Sequence, residues 1–185
     1  MQRCVESLET CGLATWNSQG MACLRVHSKD KLHELVKKAR KERWDLCFVS
    51  DLHNRQLSPQ DEPPQKLHVL VEEFTLVSAE NLRVGMWLSH AMVRAWEKTG
   101  YACRQFSDRV FGLAMKIKEV EYVFVVVYLP VFPREAADRQ ERFDAWGAMT
   151  ASAAWVKERA AVGIWGGDFN SHLGGLERGE REGGW

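Results

Sequence analysis

Gly166-Gly167-Asp168-Phe169-Asn170-Ser171-His172 is the most informative stretch of the chain. It follows an apolar run, Ala160-Ala161-Val162-Gly163-Ile164-Trp165, with the length and composition of a short buried strand. Two glycines at the end of such a strand free the backbone to turn sharply and leave room for a ligand. A carboxylate and a carboxamide then stand close together at the mouth of a sheet. Asp168 can activate a water or hold a hard cation, and Asn170 can orient a phosphate oxygen without adding negative charge. The same residues also suit a Gly-rich turn with an Asx side chain capping a helix.

Two other strand ends carry similar signals. Near the N-terminus, Leu13-Ala14-Thr15-Trp16-Asn17-Ser18-Gln19-Gly20 is a short apolar strand ending in an amide and a glycine. Between the two, Phe124-Val125-Val126-Val127-Tyr128-Leu129-Pro130 is a strand ending in Tyr-x-Pro. In order and spacing, the three blocks together resemble the endonuclease/exonuclease/phosphatase superfamily. That superfamily includes the apurinic endonucleases, pancreatic deoxyribonuclease and the endonuclease domains of non-LTR retrotransposons. The retrotransposon branch is the most similar. The stretches Val84 to Trp96 and Asp108 to Met115, where Arg109 precedes a strand, resemble segments those domains carry.

The resemblance implies an α/β fold of two packed mixed β-sheets flanked by helices, a four-layer, deoxyribonuclease-like sandwich. It covers nearly all of residues 1–185 and implies a single domain of that type. The chain ends at Gly183-Gly184-Trp185, a short way past the Asp-Phe-Asn block. The family's last strands, with the Asp and His that complete its water-activating pair, are therefore expected to be missing.

Composition is compatible with this. A chain of 185 residues supports one core rather than two comfortable domains. Its 45% hydrophobic and 27% charged content is that of an ordinary soluble globular protein. Net charge is zero, which argues against tight nonspecific DNA binding, although the charge is segregated. Lys29 to Arg43 is basic, as in a solvated helix face, while Asp61-Glu62 and Glu72-Glu73 are acidic. The five cysteines show no Cys-x-x-Cys pair and no zinc spacing, as expected of reduced thiols inside a cell. Met1 to Glu6 lacks the apolar core of a signal peptide, and no targeting signal is evident. By resemblance, the expected location is nuclear. The longest apolar run, Val123 to Phe132, is broken by Pro130 and too short to span a bilayer.

Periodicity places a helix over 28–43, with Leu32, Leu35, Val36 and Ala39 on one face, and a buried strand over Leu46 to Ser50. Leu67 to Ser78 and Arg83 to Leu88 look like strands joined by a turn near Glu80-Asn81. A short helix over Ser89 to Lys98 ends at Gly100. Val110 to Ile117 and Tyr122 to Tyr128 form a hairpin about Lys118–Glu121, and 134–159 holds one helix or two.

Phosphodiester hydrolysis needs a deprotonated water, neutralised charge on the phosphorane and a stabilised leaving oxygen. Mg2+, or Mn2+ in its place, supplies part of each. By resemblance, Asn17 helps arrange the metal and phosphate region. Asp51 stands where the family has a metal-binding Glu, one methylene shorter. Tyr128 points its hydroxyl at the scissile phosphate, Asp168 orients or deprotonates the water, and Asn170 binds phosphate. Gln19 brings no charge to the site, and His172 reads as a loop residue. Each of these also has a plain structural reading: a strand-ending Asn, a loop-opening Asp, a core Tyr with a wet tip.

Three functions are compatible with these residues. The first is a divalent-metal-dependent endonuclease that nicks DNA, of the retrotransposon type. The second is a noncatalytic remnant of the fold that acts at most as a binding module. The third is a phosphatase or phosphodiesterase on small phosphate esters.

Overall fold

Among the described residues, eight strands divide evenly between two four-stranded sheets, each with its own covering helix. The computed structural model describes residues 11–17, 36–51, 74–78, 83–130 and 136–170. Sheet A has the order β1-β2-β4-β3, built from β1 (Leu13–Asn17), β2 (Leu46–Ser50), β3 (Phe74–Val77) and β4 (Val84–Ser89). Sheet B has the order β5-β6-β7-β8, built from β5 (Cys103–Ser107), β6 (Val110–Ile117), β7 (Val120–Tyr128) and β8 (Val162–Asp168). The described part of helix α1 covers 36–42; α2 is His90–Glu97 and α3 is Ala136–Glu158.

Side-chain alternation sets the layers, because successive residues of a strand face opposite ways. On β2, Leu46 and Phe48 enter the core between the sheets, where they meet Met86 and Leu88 of β4 and Phe111, Leu113, Phe124 and Val126 of sheet B. The residues between them, Cys47 and Val49, face outward against Val36 and Ala39 of α1. Sheet B behaves in the same way. Val123, Val125 and Val127 face outward against Ala145, Ala148, Trp155 and Val156 of α3. The result is helix, sheet, sheet, helix, the expected four-layer sandwich. Helix α2 adds Met92, Ala95 and Trp96 to the inter-sheet core.

Two parallel pairs bring polar residues to the strand ends. β1 runs parallel to β2 with Asn17 opposite Ser50, and β7 runs parallel to β8 with Tyr128 opposite Asp168. Parallel neighbours need a crossover, which α1 supplies in sheet A and α3 in sheet B. All other pairings are antiparallel.

Ser89 caps α2, its hydroxyl accepting from the Met92 N–H at 3.4 Å, and Gly100 at φ 66° closes the turn after it. Asp45, buried at the start of β2, accepts from the Gly12 N–H at 2.9 Å and the Ser89 hydroxyl at 3.3 Å. One carboxylate thus joins the entry of β1, the entry of β2 and the cap of α2. The predicted strands and helices are found at the described positions, with differences at several boundaries and one added strand. β7 begins at Val120, so the hairpin turn is tighter than Lys118–Glu121, with Lys118 at φ 53°. The 134–159 segment is one continuous helix from Ala136. β5 is a strand the periodicity does not signal. Residues 28–35, residues 67–73 and the turn near Glu80-Asn81 lie outside the described residues.

Candidate active site at the strand tips

The C-terminal ends of β1, β2, β7 and β8 meet at one end of the sandwich, and each delivers one predicted site residue. Asn17 ends β1, Asp51 follows β2, Tyr128 ends β7 and Asp168 ends β8. Antiparallel pairing brings two strand beginnings to the same end. Val84 lies opposite Ser50, which puts Arg83 beside Asp51, and Val110 lies opposite Val127, which puts Arg109 beside Tyr128.

Asp168 is the hub. Its Oδ2 accepts from Asn17 Nδ2 at 2.7 Å, a bond that ties sheet A to sheet B. Its Oδ1 accepts from the Asn170 backbone N–H at 2.9 Å. The Asp168 carbonyl accepts from the Leu129 N–H at 2.9 Å, and Asn170 Nδ2 donates to the Leu129 carbonyl at 2.7 Å. Asn170 adopts φ 41°, a left-handed conformation that Asn tolerates better than most residues. The carboxylate is therefore held from both sides, with its orientation set before any ligand arrives.

The paired glycines act differently from the sequence-based expectation. β8 continues through both of them to Asp168, and the space beside them is occupied by the Phe48 ring and the Val127 main chain. A Cβ at Gly166 would stand 2.3 Å from the Phe48 ring. At Gly167, with φ 129°, it would stand 2.0 Å from the Val127 carbonyl oxygen. The glycines let β8 press against the inter-sheet core and β7, and this close packing sets the position of Asp168.

Tyr128 is half-buried between opposing charges. Burial pushes its phenol above the usual range, and the Asp51 carboxylate adds to this, followed by that of Asp168. The Arg109 and Arg83 guanidiniums act in the opposite direction. With burial and two carboxylates raising it, the hydroxyl is a proton donor at neutral pH. Asp51 itself sits at φ 60°, at the sharp exit from β2.

The donor set suits a hard cation that keeps much of its water. Among the described residues there is no group of three or more His, Cys, Asp and Glu side chains able to cage a metal. One carboxylate and an amide oxygen at strand ends do suit Mg2+, which is commonly held by one or two carboxylates with water completing its shell. Asp51 and Asn17 fit this role. Asn17 Nδ2 is committed to Asp168, so Oδ1 is the atom of that amide suited to face a cation. Asp168, with both oxygens already accepting, is better placed to orient a water than to cage an ion.

Gln19, Ser171 and His172 lie outside the described residues. Arg83 and Arg109 join the site without having been expected there from the sequence. Arg109 is visible in the sequence as a lone cation entering an apolar strand, but its inward orientation has no sequence signal. The basic run lies partly on α1, where Lys37, Lys38 and Lys41 are exposed, as a solvated face predicts. Arg40 and Arg43 line an open hollow beside Asp45 and Ser89, at the other end of β2 from Asp51.

No protein-family model and no curated protein matches the sequence. Solved structures do match. A D. rerio TDP2 humanised by 14 mutations aligns at 15% identity and TM-score 0.54, over 91% of this chain and 65% of that one. TDP2 from Caenorhabditis elegans aligns at 15% identity and TM-score 0.55, over 96% and 53%. The AP endonuclease LMAP from Leishmania major aligns at 17% identity and TM-score 0.58, over 84% and 54%. The chain thus spans 53–65% of the length of these structures. At such identities the likeness is one of fold.

Proposed function

We propose that this chain, which has the fold of the endonuclease/exonuclease/phosphatase superfamily, is built for divalent-metal-dependent hydrolysis of phosphodiesters, with DNA as the substrate. The hydrogen-bonded series Asn17–Asp168–Asn170–Leu129, beside Tyr128, is the strongest support for this reading. It fixes one carboxylate among neutral donors at the strand tips, an arrangement suited to aligning a water against a phosphate.

In this reading Asp168 accepts a proton from the attacking water, its two oxygens steered by Asn17 and the Asn170 amide. Tyr128 donates a hydrogen bond to a nonbridging phosphate oxygen. The Asn170 carboxamide, anchored on the Leu129 carbonyl beside Asp168, binds the phosphate. Asp51 and Asn17 would hold Mg2+ or Mn2+, which when bound neutralises charge developing on the phosphate and leaving oxygen. The assignment to DNA leans on the AP endonuclease neighbour. The retrotransposon type leans on the Val84–Trp96 and Asp108–Met115 stretches, which form β4 with α2 and the start of β6. Residues 1–185 act as a single domain. A nuclear location follows from the DNA substrate. No described helix is long and apolar enough to cross a membrane.

The test is conversion of supercoiled plasmid to open circle with Mg2+, with Mn2+ and with chelator, run beside Asp168→Ala. Chelator-sensitive nicking that the variant lacks is the expected result. Phosphate release from soluble monoesters with the plasmid left intact would replace the DNA reading. A folded protein with neither activity would contradict catalysis.

A further inference from the structure

Arg109 is the one Lys or Arg among the buried residues described, at 4% exposure, although it sits in a two-residue hairpin turn beside the exposed Asp108. A turn Arg ordinarily extends into water, because burying a guanidinium is costly unless something replaces its hydration. Here it folds inward and makes two contacts. Its guanidinium carbon lies 5.1 Å from the centre of the Tyr128 ring, within cation–π range. Its Nη2 pairs with Glu141 on α3. Nε has no partner among the described residues, so Arg109 is not oriented to maximise hydrogen bonding. The Tyr128 N–H donates to the Arg109 carbonyl at 2.9 Å, so ring and guanidinium arise from facing main chain.

We propose that Arg109 is the positioning residue for Tyr128: anchored by Glu141, its guanidinium lies over the phenol ring and fixes where the hydroxyl points. This rests on the reading of Tyr128 as the hydroxyl that meets the phosphate. A strand-end tyrosine can swing about two side-chain torsions, and a displacement of about 1 Å at a reacting group can cost about 10²-fold in rate. Arg109 removes that freedom from one side, and Glu141 gives it a fixed support. The contact also makes α3 more than a cover for sheet B, because the helix sets the angle of a site residue through Arg109.

The test combines a spectroscopic readout with a kinetic one on the full chain. The sequence has three tyrosines, Tyr101, Tyr122 and Tyr128, so a ring-labelled sample gives three assignable resonances. Arg109→Met and Glu141→Gln should both move the Tyr128 resonance, the first further, and leave Tyr101 and Tyr122 in place. On plasmid, Arg109→Met should lower kcat by about 10²-fold with KM near wild type. Arg109→Lys, which keeps the charge but loses the planar face, should recover only part of this. In a Tyr128→Phe background, Arg109→Met should cost almost nothing more.

A Tyr128 resonance unmoved in both variants would overturn the proposal. So would a kinetic loss that persists in the Tyr128→Phe background, which would mean the guanidinium meets substrate directly. If Arg109→Met does not fold, Glu141→Gln and Arg109→Lys decide on the same readouts. If the wild type cleaves nothing, the resonances still decide the positioning claim, and only the hydrolase reading fails.

Discussion

At the scale of single residues, the candidate site is organised by hydrogen bonds that orient its side chains. Asn17 is exposed, and its side-chain amide donates to Asp168. Asn17→Ala should therefore lower stability by about 1 kcal/mol, the net worth of one solvent-exposed hydrogen bond between the sheets. Its turnover should fall about 10- to 100-fold, the usual loss when a partner that orients a functional carboxylate is removed. Paired urea melts and rate measurements check both halves. Gly166 should show the reverse. A Cβ there meets the Phe48 ring, so Gly166→Ala should cost about 1–3 kcal/mol by overpacking. Adding Phe48→Leu should recover part of that stability, which two melts and their double variant would measure. Asp168 and Asn170 are legible in the sequence as candidates because they follow an apolar run and two glycines, whereas Asn17, Asp51 and Tyr128 are singled out only by the family resemblance. That the two glycines serve packing is not legible, because Phe48 lies far from them along the chain.

At the scale of elements, alternation explains both what could be foreseen and what could not. β2 and β4 are buried on both faces, so they read as continuous apolar runs, and nothing in such a run says which face meets a helix. β5, Cys-Arg-Gln-Phe-Ser, lies at the edge of sheet B with an irregular register between Gln105 and Ser107. An edge strand with a bulge has no clean apolar alternation to detect. The helix α3 presents Ala145, Ala148 and Ser152 to its sheet, small residues that leave a weak pattern in sequence. Cys47 offers a test of the outer layer. Burial between β2 and α1 pushes its thiol from 9.0 up to about 12. The unfolded chain loses this proton first, so the Cys47 contribution is fully present below about pH 9 and declines toward about 12. The stability advantage of wild type over Cys47→Ala should shrink as pH rises through that window, by at most about 1.4 kcal/mol per unit. Guanidinium melts at several pH values would show it, and a constant difference would place Cys47 in contact with water.

At the scale of the whole molecule, the two parallel pairs account for the position of the site. One strand-helix-strand unit per sheet sends Asn17 and Asp51, and Tyr128 and Asp168, to the same end of the sandwich, and the Asn17–Asp168 bond joins the two halves. The sequence blocks point to this fold through their resemblance, whereas periodicity alone allows several α/β layer arrangements. The pairing of sheet A with sheet B depends on contacts between distant segments, for which a single sequence carries no local signal. The most direct measurement is single-turnover cleavage of a labelled DNA duplex with Mg2+, comparing wild type with Asp168→Asn. That substitution keeps the size of the side chain and removes the acceptor charge. The expected result is a loss of at least about 10²-fold from a protein that still folds. Its melting temperature should be lowered only by the loss of one of the two hydrogen bonds to this side chain. Cleavage at the wild-type rate by a folded Asp168→Asn would contradict the assignment of this carboxylate as the centre of the site.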